Sequence, residues 1–421
     1  MGSTVVSGIG LISSAGIGRE ENVRLFAEKK TGIRPIERFE LPPQTRTGFA
    51  GLVPPIPWSI LPPGLVSRMS EEDLRQDYVK AAVYVVQEAI AEAGIAEAIR
   101  RQPRRTALLV ASSLGNYLEV AGLVKDYFLN HLYKITSLIH GMNSYLPARL
   151  ADLFGIKGPC WFVSSSCSSS LNAVLQADRL IKTGVVDRAI VVGVDVCLET
   201  GTFHLWNKIR VLSHRNDDPA TACRPYCRTR DGLVVAEAAG CFVLEREGEA
   251  HPDWYGRILG FGLSNGSADF VKPSPADILL SIRDALDDAN LPPSAIDFVA
   301  GSASGSPACD PYESEALCEI MGDDVRRVPL FAFKSFLGST FGVQAVSEGA
   351  LALTCLRDSR VPEVRNVFEP DPRIRANAYY DARAYAGYGI GTMLFLNFGF
   401  AGTHMAVVYG RNPHATTRRS A

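Results

Sequence analysis

Apolar residues along the chain fall into two kinds of run. Continuous apolar blocks at STVVSGIGLI (3–12), TALLVASS (106–113), PCWFVSS (159–165), RAIVVGVDV (188–196) and GCFVLERE (240–247) predict buried strands. Helical periodicity instead marks SRMSEEDLRQDYVKAAVYVVQEAIAEAGI (67–95), one long helix with Ser70 as N-cap, Asp73 three residues on and Gly94 as its stop. A second helix is predicted over SSSLNAVLQADRLIKTG (168–184). The polar, turn-rich GEAHPDWY (248–255) then breaks the pattern and places a boundary near residue 250, giving halves 1–250 and 251–421. The second half repeats the style, with strands at RILGFGLS and DFVAGSAS and a helix opened by Ser274-Pro275. TMLFLNFGFAGTHMAVVY (392–409) predicts two strands about a tight glycine turn, and RNPHATTRRSA (411–421) a frayed tail. The alternation predicts an α/β fold with parallel-rich sheets covered on both faces, layered α-β-α-β-α once the halves pack.

Composition narrows the function classes. The 421 residues are 47% hydrophobic and 21% charged with a net charge of −2, so there is no basic field for nucleic acid. No apolar run approaches about 18 residues, and no membrane span is expected. The N-terminus has no positive region before its apolar run and does not read as a signal peptide; Val6 also rules out a myristoylation motif at Gly2. Nine cysteines are scattered without a CxxC pair, which fits small buried thiols in a reducing cytoplasm. Cys223 and Cys227 lack neighbours at zinc spacing, and neither metal nor cofactor is implied.

Candidate chemistry centres on SSSCSSSL. A strand leading into a helix puts Cys167 beside backbone N–H groups without intrahelical partners. The positive helix end should lower the thiol pKa, and the small serines on either side let a substrate approach. A thiolate so placed can take an acyl group from a thioester. The same residues also fit a structural cysteine in a Ser-rich turn.

An ordered set of motifs goes further. TVVSGIGLISSAG, KKTGIRPIERFE, the Cys167 region, VLSHRNDDPATACRPYCRTRDGLVVAEAAGCFVLE, DPYESEAL, FKSFLGSTFGVQAVSEGAL and NFGFAGTH follow one another along nearly the whole chain. In this order they resemble the β-ketoacyl-acyl-carrier-protein synthases, the ketosynthases of fatty-acid and polyketide assembly. The resemblance implies a thiolase-like fold of two related halves and an acyl carrier protein bearing acyl-phosphopantetheine as partner. It also implies a dimer, either of two copies or with a ketosynthase subunit. It makes Cys167 the nucleophile and gives the acyl oxyanion hole to the amides of Cys167 and Phe400, with Phe400 also a gatekeeper. Lys334 and Glu348 stand where the family has a supporting ion pair. Asp231 and Glu237 match acidic positions of the family, whereas Cys227 stands where an acidic residue is usual.

Two departures stand out. The family's catalytic histidines fall at Ser302, in Ser302-Ala303-Ser304-Gly305-Ser306-Pro307 before Asp310 and Glu313, and at Ser339, after Lys334-Ser335-Phe336-Leu337-Gly338. A serine hydroxyl is a shorter-reaching donor and no base near neutral pH. Loss of one oxyanion donor costs about 10²–10³ in rate, so decarboxylative condensation should be crippled. With both histidines replaced, the expected role is a non-condensing subunit of the chain-length-factor type paired with an active ketosynthase; the alternatives are an acyltransferase using Cys167 without decarboxylation and, third, a condensing enzyme with a rewired acid–base group. His404, just after FGFAGT, is the candidate substitute for the third, or simply a satisfied histidine at a strand start. His214 fits a structural role. Arg210, Arg215, Lys125 and Lys134 could meet an acidic carrier protein, or form a solvated face.

Overall fold

A computed structural model describes residues 2–131, 137–266 and 273–414. Lys134 and residues 415–421 of the expected tail lie outside the described residues. The first half supplies β1 (Thr4–Ser13), a small ribbon of β2 (Ile33–Pro35) and β3 (Phe49–Gly51), then β4 (Thr106–Ala111), β5 (Cys160–Val163), β6 (Arg188–Asp195) and β7 (Ala238–Arg246). The second half supplies β8 (Gly256–Asn265), β9 (Phe298–Ala300), β10 (Leu330–Phe331), β11 (Thr392–Phe398) and β12 (Thr403–Arg411). Apart from the ribbon, these strands form one hydrogen-bonded series, β10-β9-β11-β12-β8-β1-β7-β6-β4-β5.

That order contains a repeat. Counting main-sheet strands within each half, both run third, second, fourth, fifth, first, and they meet where Thr4–Val6 of β1 pairs with β8. The sheets are mixed rather than parallel-rich, a correction to the sequence expectation. Among the described residues only β4–β5, β4–β6, β9–β10 and β9–β11 run parallel. The last strand of each half returns antiparallel to both its neighbours. Its residues are still apolar throughout because both faces are covered, so strand composition does not reveal direction.

Layering follows from which residues are buried together. One core joins the inner faces of both half-sheets to the Ser169–Lys182 and Gln344–Arg357 helices. A second core packs the Asp77–Ala93 and Tyr145–Phe154 helices on the outer face of the first half, and a third packs the Pro275–Ala289 and Cys309–Met321 helices on the second. The result is the α-β-α-β-α arrangement of a thiolase-like fold. Every residue of Gln344–Arg357 is buried, so the helix has no polar face to give it an amphipathic period.

The helix predicted over 67–95 is broken. Ser70 caps a first piece, Glu71–Arg75, with a reciprocal Ser70–Asp73 capping box; Gln76 is extended, and a second helix runs Asp77–Ala93 to a left-handed Gly94. The buried Asp73 carboxylate also accepts hydrogen bonds from Tyr145 and Arg149, which hold the first piece against the Tyr145–Phe154 helix. Among the described residues, no helix is long and apolar enough to cross a membrane.

Candidate active site

The two central helices start side by side. Cys167 lies two residues before the Ser169–Lys182 helix, and Ser339 five before Gln344–Arg357. The Ala345 N–H donates to Ser170 Oγ at 3.0 Å, tying the two helix starts together. Asp195, at the end of β6, fixes the loops around them by accepting from the N–H groups of Ser113 (3.0 Å) and Gly342 (2.8 Å). Burial pushes this carboxyl up to about 6.

A cavity of about 270 Å³ opens there and is lined by Cys167, Ser302, Ser339, Lys334, Gln344 and Phe400, among others. The structure thus gathers Cys167, both serines at the histidine positions and two of the three supporting residues around one space. Glu348 lies behind Lys334, whose ammonium it holds at 2.9 Å with both side chains 2% exposed. The tight turn after β11 brings Gly399 so near that a Cβ there would sit 3.2 Å from the Cys167 nitrogen. The Phe400 backbone N–H lies on the Cys167 side of this turn and favours the thiolate. The Phe400 ring packs on Trp206 at 5.7 Å between centroids, a contact no motif announces.

The thiol is not activated as the helix position led us to expect. Burial pushes Cys167 above its ordinary value; the Phe400 N–H, the Ser166 hydroxyl and the Lys334 charge oppose that only in part. Desolvation by the surrounding walls outweighs these three together, and only the folded structure sets those walls.

Ser302 and Ser339 are held by the main chain. The Ser302 N–H donates to Glu313 Oε1 (2.5 Å), and the Phe398 N–H donates to Ser302 Oγ (3.0 Å). The Ser339 N–H donates to the Val234 carbonyl (2.7 Å), and its own carbonyl accepts from Ala236 (2.8 Å). Gln344 Nε2 donates to Ser339 Oγ at 3.4 Å.

His404 is not brought to the cavity. It shares the side of β12 that packs Ala406 and Val408 into the outer core, whereas Met405 and Val407 face the central layer. Its ring lies edge-on to Phe398 at 5.5 Å, and neither nitrogen has a hydrogen-bond partner among the described residues. Burial lowers its pKa. It is therefore no substitute for the missing imidazoles, and neither is it the satisfied histidine that position suggested.

Other acidic residues hold the frame. Asp231 accepts from Ser213 and the His214 N–H, and Glu237 accepts from Arg38 and the N–H groups of Leu198 and Val53. His214 lies 3.3 Å from Asp231. The family's acidic residue at Cys227 is not missed by Arg230, which donates to Asp371 (2.7 Å), lies 3.7 Å from Asp310 and reaches the Cys227 carbonyl. Asp371 comes from far along the chain, so no local pattern signals it.

Glu313 is buried in the cavity wall and accepts the Tyr226 hydroxyl at 2.7 Å; burial pushes its carboxyl up to about 7. A raised folded pKa means the native state binds the extra proton between the ordinary 4.5 and about 7, so this contribution declines as pH rises through that window. Relative to Glu313→Gln, the wild type should lose about 3 kcal/mol of unfolding free energy between pH 4.5 and 7. Denaturant titrations of both proteins across that range measure it; an unchanged difference would show that Glu313 is charged throughout.

Comparison with known proteins gives the family. The model of the Beta-ketoacyl synthase N-terminal domain matches residues 2–250, and that of the Beta-ketoacyl synthase C-terminal domain matches 255–368. The chain belongs to the β-ketoacyl synthase family. It is 28% identical over 421 residues to a "Putative polyketide beta-ketoacyl synthase 1" of Streptomyces virginiae, covering 96% of both chains. To the "3-oxoacyl-[acyl-carrier-protein] synthase 2" of Coxiella burnetii it is 25% identical, covering 97% of this chain and 98% of that one. Among solved structures, a type II polyketide synthase acyl-carrier protein in complex with its ketosynthase matches with TM-score 0.86 and 21% identity, covering 97% and 99% of the two chains. The ishigamide ketosynthase/chain length factor matches with TM-score 0.82 and 23% identity, covering 97% and 99%. In this member of the β-ketoacyl synthase family, Asp195, Trp206, Gln344 and Asp371 are among the residues that sequence motifs did not single out.

Proposed function

We propose that this β-ketoacyl synthase family member takes acyl groups from acyl-carrier-protein thioesters onto Cys167 and passes them on without decarboxylative condensation. The observation that carries this is the cavity itself, lined together by Cys167, Phe400 and the serines at both histidine positions. An amide-lined thiol suffices for acyl transfer. Two hydroxyls supply no base for the second half of a condensation. Arg210, exposed at the cavity mouth, suits the phosphate of a phosphopantetheine arm. Nine scattered cysteines without a CxxC pair suit a reducing cytoplasm, and the repeated strand order supports a division into 1–250 and 251–421.

A chain-length-factor-like subunit paired with an active ketosynthase is the second reading. One observation favours it: β5 is a sheet edge with Trp161 exposed, and Phe128, Leu129, Leu138 and Ile139 expose more than half of their surface nearby in sequence. Such an edge and such apolar side chains call for a covering chain. The two roles are compatible, because a paired subunit can also carry an acyl group.

Incubation with an acyl-carrier-protein thioester should add one acyl mass to the intact protein, while a malonyl-carrier thioester releases no carbon dioxide above background. Carbon dioxide release at ketosynthase rates would overturn the proposal, as would failure of any acyl donor to label the protein.

A further inference from the structure

Gln344 opens the second central helix and lines the Cys167 cavity while only 2% exposed. Its Oε1 accepts from Nδ2 of the fully buried Asn397 on β11 at 2.6 Å. That bond turns Nε2 toward Ser339, whose Oγ it reaches at 3.4 Å. A hydroxyl has one proton to give and lone pairs to receive. Because Ser339 Oγ receives its N–H from Gln344, the serine's own proton is left to point into the cavity. Ser302 is arranged alike, its Oγ receiving the Phe398 N–H at 3.0 Å. A hydroxyl that accepts one hydrogen bond becomes a better donor in the next.

We infer that Gln344 is a positioning residue, which sets the Ser339 hydroxyl as a hydrogen-bond donor to the sulfur that departs when an acyl thioester loads Cys167. The inference rests on the loading proposed above. In that step the Cys167 sulfur bonds to the acyl carbon, the bond from that carbon to the departing sulfur breaks, and the thiol proton of Cys167 ends on the departing thiol. In this step the acyl carbonyl oxygen falls to the backbone N–H groups of Cys167 and Phe400, the oxyanion hole that the family resemblance implies, and the hydroxyls are left for the sulfur. Negative charge builds on that sulfur as the bond breaks, and a basic alkyl thiolate gains far more from a donor than an aryl thiolate that leaves unaided.

The test compares two donors, hexanoyl-pantetheine and the hexanoyl thioester of thiophenol, with loading followed by intact mass. Gln344→Leu should lower the ratio of pantetheine to thiophenol loading rates about 10-fold, the scale of one lost hydrogen bond in a dry site. Gln344→Glu keeps an acceptor for Asn397 but loses the N–H, and should lower the ratio as much. Ser339→Ala should do the same, and the Ser339→Ala/Gln344→Leu double variant should fall no lower than Ser339→Ala alone, because Gln344 acts only through Ser339. A purely structural role slows both donors alike, so an unchanged ratio in Gln344→Leu and Gln344→Glu would overturn the inference, as would a further drop in the double variant. Wild-type protein loaded by neither donor would overturn the loading step itself, an outcome separate from an unchanged ratio in a protein that loads.

Discussion

Cys167→Ala should abolish covalent loading by an acyl-carrier-protein thioester, lowering the rate of adduct formation by about 10³-fold or more. Eight other cysteines are present, so the comparison also asks whether the adduct belongs to this thiol. Cys309 lines the same cavity as Cys167, whereas Cys197, Cys241 and Cys355 are buried in the cores, with burial pushing each thiol up, and do not line it. Peptide mapping of the labelled wild type should place the acyl group on Cys167 alone. Because burial raises the Cys167 thiol, the thiolate fraction at neutral pH is small. Loading and alkylation by iodoacetamide should both speed up as pH rises to 9 and beyond. A rate already level by pH 7 would mean that the cavity stabilises the thiolate more than its walls destabilise it. An adduct that survives in Cys167→Ala would place the nucleophile elsewhere.

The largest stability effect should come from Lys334→Met. The Lys334 ammonium and Glu348 carboxylate face each other at 2.9 Å, each 2% exposed. Burial alone pushes Glu348 up, and the Lys334 charge opposes that. Removing the lysine leaves a buried acid without its counter-charge, which costs about 3–5 kcal/mol. Urea unfolding should show a loss of that order, while Lys334→Met/Glu348→Leu, with neither charge to bury, should recover most of it. Recovery sorts the two contributions of Lys334: the stability returns in the double variant, whereas the lysine's field at Cys167 does not, so acyl loading should remain slower than in the wild type. If Lys334→Met unfolds at the wild-type midpoint, Glu348 has taken a proton without penalty and the pair is not holding the site.

The Cys167 turn, both serine substitutions and the helix caps at Ser70 and Ser274 were legible in sequence because each depends on a short stretch of chain. A cap hydrogen bond spans three residues, and a motif keeps its register whatever packs around it. The Cys167 strand–turn–helix was local in the same sense. Its ionisation was not, since the groups that act on the buried thiol include Phe400 and Lys334, brought from the other half of the molecule. His404 looked suitable because it follows FGFAGT directly, but strand alternation at β12 turns it to the outer face. Gln344 carried no signal, because its helix is buried all round and its partners, Asn397 and Ser339, meet it only after β11 and the Lys334 loop pack together. The break at Gln76 and the carboxylate of Asp371 on Arg230 were likewise decided by distant partners. What the amino-acid order determined by itself is the family, the helix caps and the identity of the groups at the site. Which of those groups face the cavity, and in what state of charge, only the folded arrangement decided, because burial and long-range hydrogen bonds depend on residues that are neighbours in space and not in sequence.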